Sequence, residues 1–98
     1  FLHQLAKEAN PEAIAFLVNH GYPTDLRDNR GQIPLHLSAE GGHVANFAPL
    51  LSRNPASIND RNLEGRTPFL FAVIQGHQGA VEQLLELGYR QLMHHREQ

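Results

Sequence analysis

Histidine is the residue of this chain best suited to chemistry, and seven occur among its 98 residues. Neutral imidazole ligates zinc and other metals, and it serves as a general base near neutral pH. The spacing argues against a shared ion. His3 and His36 stand 33 positions apart, His43 and His77 stand 34 apart, and His20 directly precedes Gly21. Residues one period apart occupy equivalent places in successive copies of a motif, so a structural role is expected for these five. His94 and His95 are neighbours near the C-terminus without a Cys or carboxylate pair at ligand spacing, which leaves room for adventitious metal binding and not for a built site. No metal and no cofactor is expected. Ser38, Ser52 and Ser57 lack any nucleophile motif around them, and no glycine loop leads into Lys-Ser or Lys-Thr to cradle a phosphate. The expectation is therefore a protein without catalytic activity.

The period itself is more informative than the histidines. Gly31-Gln32-Ile33-Pro34-Leu35-His36 returns as Gly65-Arg66-Thr67-Pro68-Phe69-Leu70, 34 positions later, and both copies run on to a Gly-His pair at Gly42-His43 and Gly76-His77. A truncated copy leads the chain, with Leu2-His3 standing 33 positions before Leu35-His36. Leu17-Val18, Leu50-Leu51 and Leu84-Leu85 keep the same register, and Gly21-Tyr22 is answered by Gly88-Tyr89. Such a period marks a stacked array in which each unit buries its apolar face against its neighbours.

Within a unit the residues spell a turn, a short helix, a tight turn and a second helix. Thr67 can cap a helix and Pro68 suits its first position, where a missing N–H costs nothing. The flanking signals favour a helix over a strand for Phe69 to Ile74, and Gly76-His77 then breaks the chain. Val81, Leu84 and Leu85 come next at i, i+3, i+4, which predicts a second helix with one apolar stripe; Gly88 is expected to end it. Stretches 21–33 and 54–67 carry the Gly, Pro, Asn and Asp of exposed turns, with Asp28-Asn29-Arg30-Gly31 and Asn62-Leu63-Glu64-Gly65 as matching finger tips.

These residues resemble the ankyrin repeat, over nearly the whole chain. Ile33-Pro34-Leu35-His36-Leu37-Ser38-Ala39 and Thr67-Pro68-Phe69-Leu70-Phe71-Ala72 each look like its Thr-Pro-Leu-His-x-Ala motif with a defect. The resemblance implies an all-α, ankyrin-like solenoid of stacked helix-turn-helix units joined by hairpin-like loops. One domain of 98 residues is expected, with units at about 1–27, 28–61 and 62–92 and a tail at 93–98. The departures carry their own expectations. Ile33 stands where the family has Thr, which removes a cap worth about 1 kcal/mol. Leu70 replaces the motif His. Pro49 should kink or shorten the second helix of unit two. The stretch 54–59, which holds the inserted residue, should bulge.

Composition narrows the partners. Eight basic against ten acidic residues leave a formal charge of −2, so no large positive field meets a phosphate backbone, and nucleic acid is not expected. The longest apolar run is about six residues, far short of the roughly 18 to 20 that span a bilayer. No signal peptide is visible, and with no Cys there is no disulfide framework. Opening at Phe1 without Met, the chain reads as an excised or processed piece.

The resemblance implies protein binding through the finger tips and the inner helix of each unit, in an intracellular and cytoplasmic setting. Carried over by position, the contact residues are Asn29, Arg30, Gln32 and Glu40 in unit two, and Leu63, Glu64, Arg66, Ile74 and Gln75 in unit three. Leu63 and Ile74 are the sharper clues, being apolar where solvent is expected. Arg30 and Arg66, with Arg27, Arg53 and Arg61, either contact a partner or pair with Asp25, Asp28, Asp60 and Glu64. A different reading makes the chain an architectural segment of a longer array, and self-association through exposed terminal repeats is a further expectation. Asn59 holds a turn position hydroxylated in some ankyrin-like proteins, with Ser57 where an acidic residue is usual.

Overall fold

The structure is a computed structural model that describes residues 2–96, with side chains through Gln91. His94 and His95 therefore lie outside the described side chains. Helices α1 (Leu2–Ala6) and α2 (Pro11–Asn19) form the first pair, α3 (Pro34–Gly41) and α4 (Phe47–Leu51) the second, and α5 (Pro68–Gln75) and α6 (Gln78–Arg96) the third. Among the described residues there is no strand. The first helices stack in order, α1 on α3 and α3 on α5, while α2 packs on α4 behind them. One apolar seam runs through all three pairs, from Leu2 and Ile14 through Leu35 and Phe47 to Phe71 and Leu84.

Local chemistry explains where the helices begin and turn. Thr67 accepts the Leu70 N–H on its side-chain oxygen at 3.3 Å, and Pro68 opens α5. Ile33 has no such oxygen, so the His36 N–H turns to the Ile33 carbonyl at 3.0 Å, while the His36 imidazole Nδ1 takes the Ile33 N–H at 3.2 Å. The motif histidine thus makes the return bond of a capping box and does not supply the acceptor that Ile33 lacks. Each of these two helices ends on a left-handed glycine, Gly42 at φ 73° and Gly76 at φ 72°. A side chain at Gly42 would also strike the His77 ring, 2.8 Å from an added Cβ.

At three places the structure sharpens or corrects the expected helices and turns. Pro49 does shorten its helix: α4 has five residues and is entered through a 3-10 turn at Val44–Asn46, because Pro49 has no N–H to give. The stretch 54–59 does not bulge. It winds into a 3-10 turn, Pro55–Asn59, that buries Ser57 and Ile58 and packs on α4, α5 and α6, since Ile58 gains more from the core than from solvent. Nor does Gly88 end the last helix. It is absent from the positive-φ glycines, and α6 continues through residues 93–96, which the sequence set apart as a tail. A glycine inside a helix costs only about 1 kcal/mol against Ala. With no proline after it and Arg90 paired to Glu86 one turn back, the helix propagates.

Candidate interaction surface

The two fingers are built by the same device. Asp28 accepts the N–H groups of Arg30 and Gln32 on one carboxylate oxygen, each at 2.9 Å. Asn62 accepts those of Glu64 and Arg66 in the same way, again at 2.9 Å. In each tip a glycine donates back to the first residue, Gly31 to Asp28 and Gly65 to Asn62. Burial works to raise the Asp28 carboxyl, but the Gln32 and Arg30 N–H donors and the charges of His3 and Arg30 outweigh it, and the net direction is below the ordinary value of 3.8.

Side chains and backbone then lock finger to finger. The Leu63 N–H donates to the Arg30 carbonyl at 3.0 Å. Arg27 reaches both the Gly31 and Arg61 carbonyls at 2.7 Å and lies 3.6 Å from the Asp60 carboxylate. Arg30 and Glu64, both expected to contact a partner, pair with each other at 3.2 Å across the two tips. Asn29 is exposed beside them, and Leu63 is 78% exposed on the neighbouring tip.

Along the inner helices Glu40 is half-buried, Gln75 is exposed and Ile74 is 52% exposed. Arg66 is half-buried, its guanidinium 6.0 Å from the Phe71 ring centre. Gln32 must be withdrawn from the surface set. It is only 2% exposed, because its side-chain oxygen accepts the Asn62 amide at 3.1 Å and is sealed between the fingers. Sequence reasoning missed Val73, which is 46% exposed beside Ile74, with Leu70 at 39%. The available signal was position: one unit earlier those places hold Ala39 and His36, both fully buried.

The five expected structural histidines each meet a backbone carbonyl. His3 donates to Gln32 at 2.7 Å, His20 to Phe16 at 2.8 Å, His43 to Lys7 at 3.1 Å and His77 to Glu40 at 3.0 Å. His36 donates through Nε2 to the Asp60 and Arg66 carbonyls, each at 3.0 Å. Among the described residues no group of three or more candidate ligands converges. The serine hydroxyls are similarly engaged: Ser38 donates to the Ala6 carbonyl, Ser52 to Pro49 and Ser57 to Asn54. No described helix is long and apolar enough to cross a membrane.

An ankyrin-repeat family model, in three copies, matches residues 2–93. The chain is 31% identical over 84 residues to the Neurogenic locus Notch protein of Drosophila melanogaster, covering 86% of itself and 3% of that protein. It is 34% identical over 92 residues to human NF-kappa-B inhibitor alpha, covering 89% of itself and 29% of that protein. A yeast protein, the probable 26S proteasome regulatory subunit p28, is 31% identical over 75 residues, with 76% of this chain and 33% of that one covered. The chain thus spans a third or less of the length of each of these relatives.

Proposed function

The chain belongs to the ankyrin-repeat family, whose units are protein-interaction modules, and from that premise we propose that it binds another protein through its fingers and inner helices without catalysing a reaction. Asn29, Arg30, Leu63 and Glu64 on the tips, with Glu40, Arg66, Ile74 and Gln75 behind them, form the contact set. The units are taken as about 1–27, 28–61 and 62–92. An intracellular setting belongs to the same proposal and rests on family resemblance.

The observation that carries the reading is the pairing of a rigid backbone with apolar exposure. The tips are fixed by carboxylate, amide and arginine bonds before any partner arrives, so little ordering entropy remains to be lost on binding. Leu63 and Ile74 nevertheless leave most or half of their surface in water, as a contact hot spot requires in the free state. Cross-link mapping of proteins captured on the wild-type chain identifies the partner, and Leu63→Asp with Ile74→Asp then tests the surface. The pair should weaken the mapped complex by about tenfold or more with the unfolding midpoint nearly unchanged. Full affinity in the double variant would remove this surface from the function.

A further inference from the structure

The second helices of units two and three differ in length, and the difference leaves a hollow between them. Leu85 answers Leu51 in the repeat, so α6 from Glu86 onward continues past the point where Pro49 has already brought α4 to its end. The 3-10 turn Pro55–Asn59 packs on α6 and α4 at the same place. These three segments border an open cavity of about 430 Å³. Leu51 and Ile58, both buried, form its floor, with half-buried Leu87 and exposed Pro55 beside them. Ser52, Arg90 and Gln91 supply its polar atoms.

The same place one junction earlier has the opposite chemistry. There Thr24 stands for Ile58 and Arg53 for Leu87, and the cavity between the first two units, about 280 Å³, is lined by Asp25 as well as Arg53. Opposite charges on the walls suit water. Between units two and three the walls are largely aliphatic, and among the described residues Arg90 is the one charged residue that lines them. Its partner Glu86 lies one turn back, in a pair that leaves the two side chains 70% and 55% exposed. Exchanging such a pair for another carboxylate costs little.

We propose that this cavity binds a small amphipathic monocarboxylate, its apolar body against Leu51, Ile58 and Leu87 and its carboxylate on the Arg90 guanidinium and the Gln91 amide. A pocket of about 300–1,000 Å³ with apolar walls and a few convergent polar groups is the ordinary form of a small-molecule site. A guanidinium meets a carboxylate with two parallel N–H donors. A phosphate fits less well, because its second charge would face Glu86 with no further cation on the walls. An amine would meet Arg90 itself. The Ser52 hydroxyl already donates to the Pro49 carbonyl and adds no donor. None of the finger or inner-helix contact residues lines the cavity, so this site is separate from the surface proposed for the protein partner.

Amide NMR shifts of the whole chain, titrated at neutral pH with octanoate, acetate and octylamine, test the proposal. Octanoate should saturate with a Kd of about 1–10 mM, the affinity that roughly ten non-hydrogen atoms allow, with its largest shifts at Ser52, Ile58, Leu87 and Arg90. Acetate lacks the apolar body and octylamine reverses the charge; each should bind at least about tenfold more weakly. Arg90→Ala should weaken octanoate by about tenfold, whereas Glu86→Gln should tighten it by removing the competing carboxylate. Ala48 also lines the cavity, and Ala48→Phe should fill it and abolish the shifts. Leu63→Asp with Ile74→Asp should leave octanoate binding unchanged. Loss of binding in that pair would move the site to the fingers and overturn the proposal. Equal binding of octanoate and octylamine, shifts centred on exposed Phe16, or full affinity in Arg90→Ala would overturn it as well. Should Ala48→Phe fail to fold, Arg90→Ala and Glu86→Gln, both at exposed helix positions, decide.

Discussion

His36 and Ala39 in the second unit are sealed by the third, while Leu70 and Val73 stand in water at the same places one unit on. The helices themselves hardly differ: α3 and α5 are eight residues each, both open on proline and both close on a left-handed glycine. The difference lies in side-chain chemistry at equivalent positions. A small residue and an imidazole make a face that another unit can approach closely and bond. Larger aliphatic groups make a face that packs without bonding. Unit geometry is thus a property of the turns and caps, whereas the role of a face is decided by two or three residues upon it.

The widest separation between sealed and open positions should appear in the second layer. Leu84 is buried in the seam and Leu85, next to it, is exposed. Leu84→Ala should cost about 2–5 kcal/mol by lost burial and a residual cavity. Leu85→Ala should stay within about 0.5 kcal/mol, as surface changes do. Urea unfolding at constant m-value measures both. Equal losses would mean that Leu85 is covered in solution.

A smaller effect separates the alanine and valine positions. Ala39→Val copies the third unit into the closed junction and should destabilise by about 1–3 kcal/mol, because α5 has no room to retreat without breaking the His36 and His77 bonds. The reverse change, Val73→Ala, should be nearly neutral, because Val73 is 46% exposed. If Ala39→Val proves silent in the same urea experiment, the junction is looser than its buried surfaces imply.

The sealed junction should also respond to acid. Burial is the main cause holding the His36 imidazole below its ordinary 6.5, with the Arg66 and Asp60 carbonyls opposing it and Arg27 adding to the depression. Its Nδ1 accepts the Ile33 N–H, a bond that the protonated ring cannot make. The unfolded chain then binds the proton more readily than the folded one. Stability contributed by neutral His36 is whole above about pH 6.5 and is lost as pH falls through that value toward the folded one. Unfolding midpoints between about pH 7.5 and 5 should fall less steeply in His36→Gln than in the wild type. Parallel slopes would show that His36 is not the sensor.

How far the sequence could be read depended on the range of the interactions concerned. The Thr67 cap, the Gly42 and Gly76 turns and the start at Pro68 depend on residues three or four apart, and the chain states them directly. Gln32 could not be placed the same way. Its burial depends on Asn62, 30 positions on, and nothing local distinguishes it from an exposed finger residue. Gly88 misled for a related reason: the same residue type ends a helix or is absorbed by one according to its C-terminal neighbours. The inward turn at Pro55–Asn59 likewise depends on three helices that arrive from either side. For the contact surface, Leu63 and Ile74 were legible as apolar residues out of place, but the pairing of Arg30 with Glu64 across the tips required the stack.

That pairing gives the smallest expected effect and separates two accounts of the arginines. Arg30 and Glu64 meet at 3.2 Å, yet both side chains keep about half of their surface in water, at 57% and 51%. Water and salt screen such a pair, and holding two long side chains in one geometry costs entropy. A double-mutant cycle of Arg30→Ala and Glu64→Ala should therefore return about 0.2–1 kcal/mol of coupling at low ionic strength and less in high salt. The finger backbone is fixed by Asp28, Asn62 and Arg27 regardless. A coupling well above that range would make the pair a structural clasp, too strongly held to open for a partner. A value near zero leaves both charges free to be recruited, at little cost, by a complementary group on the bound protein.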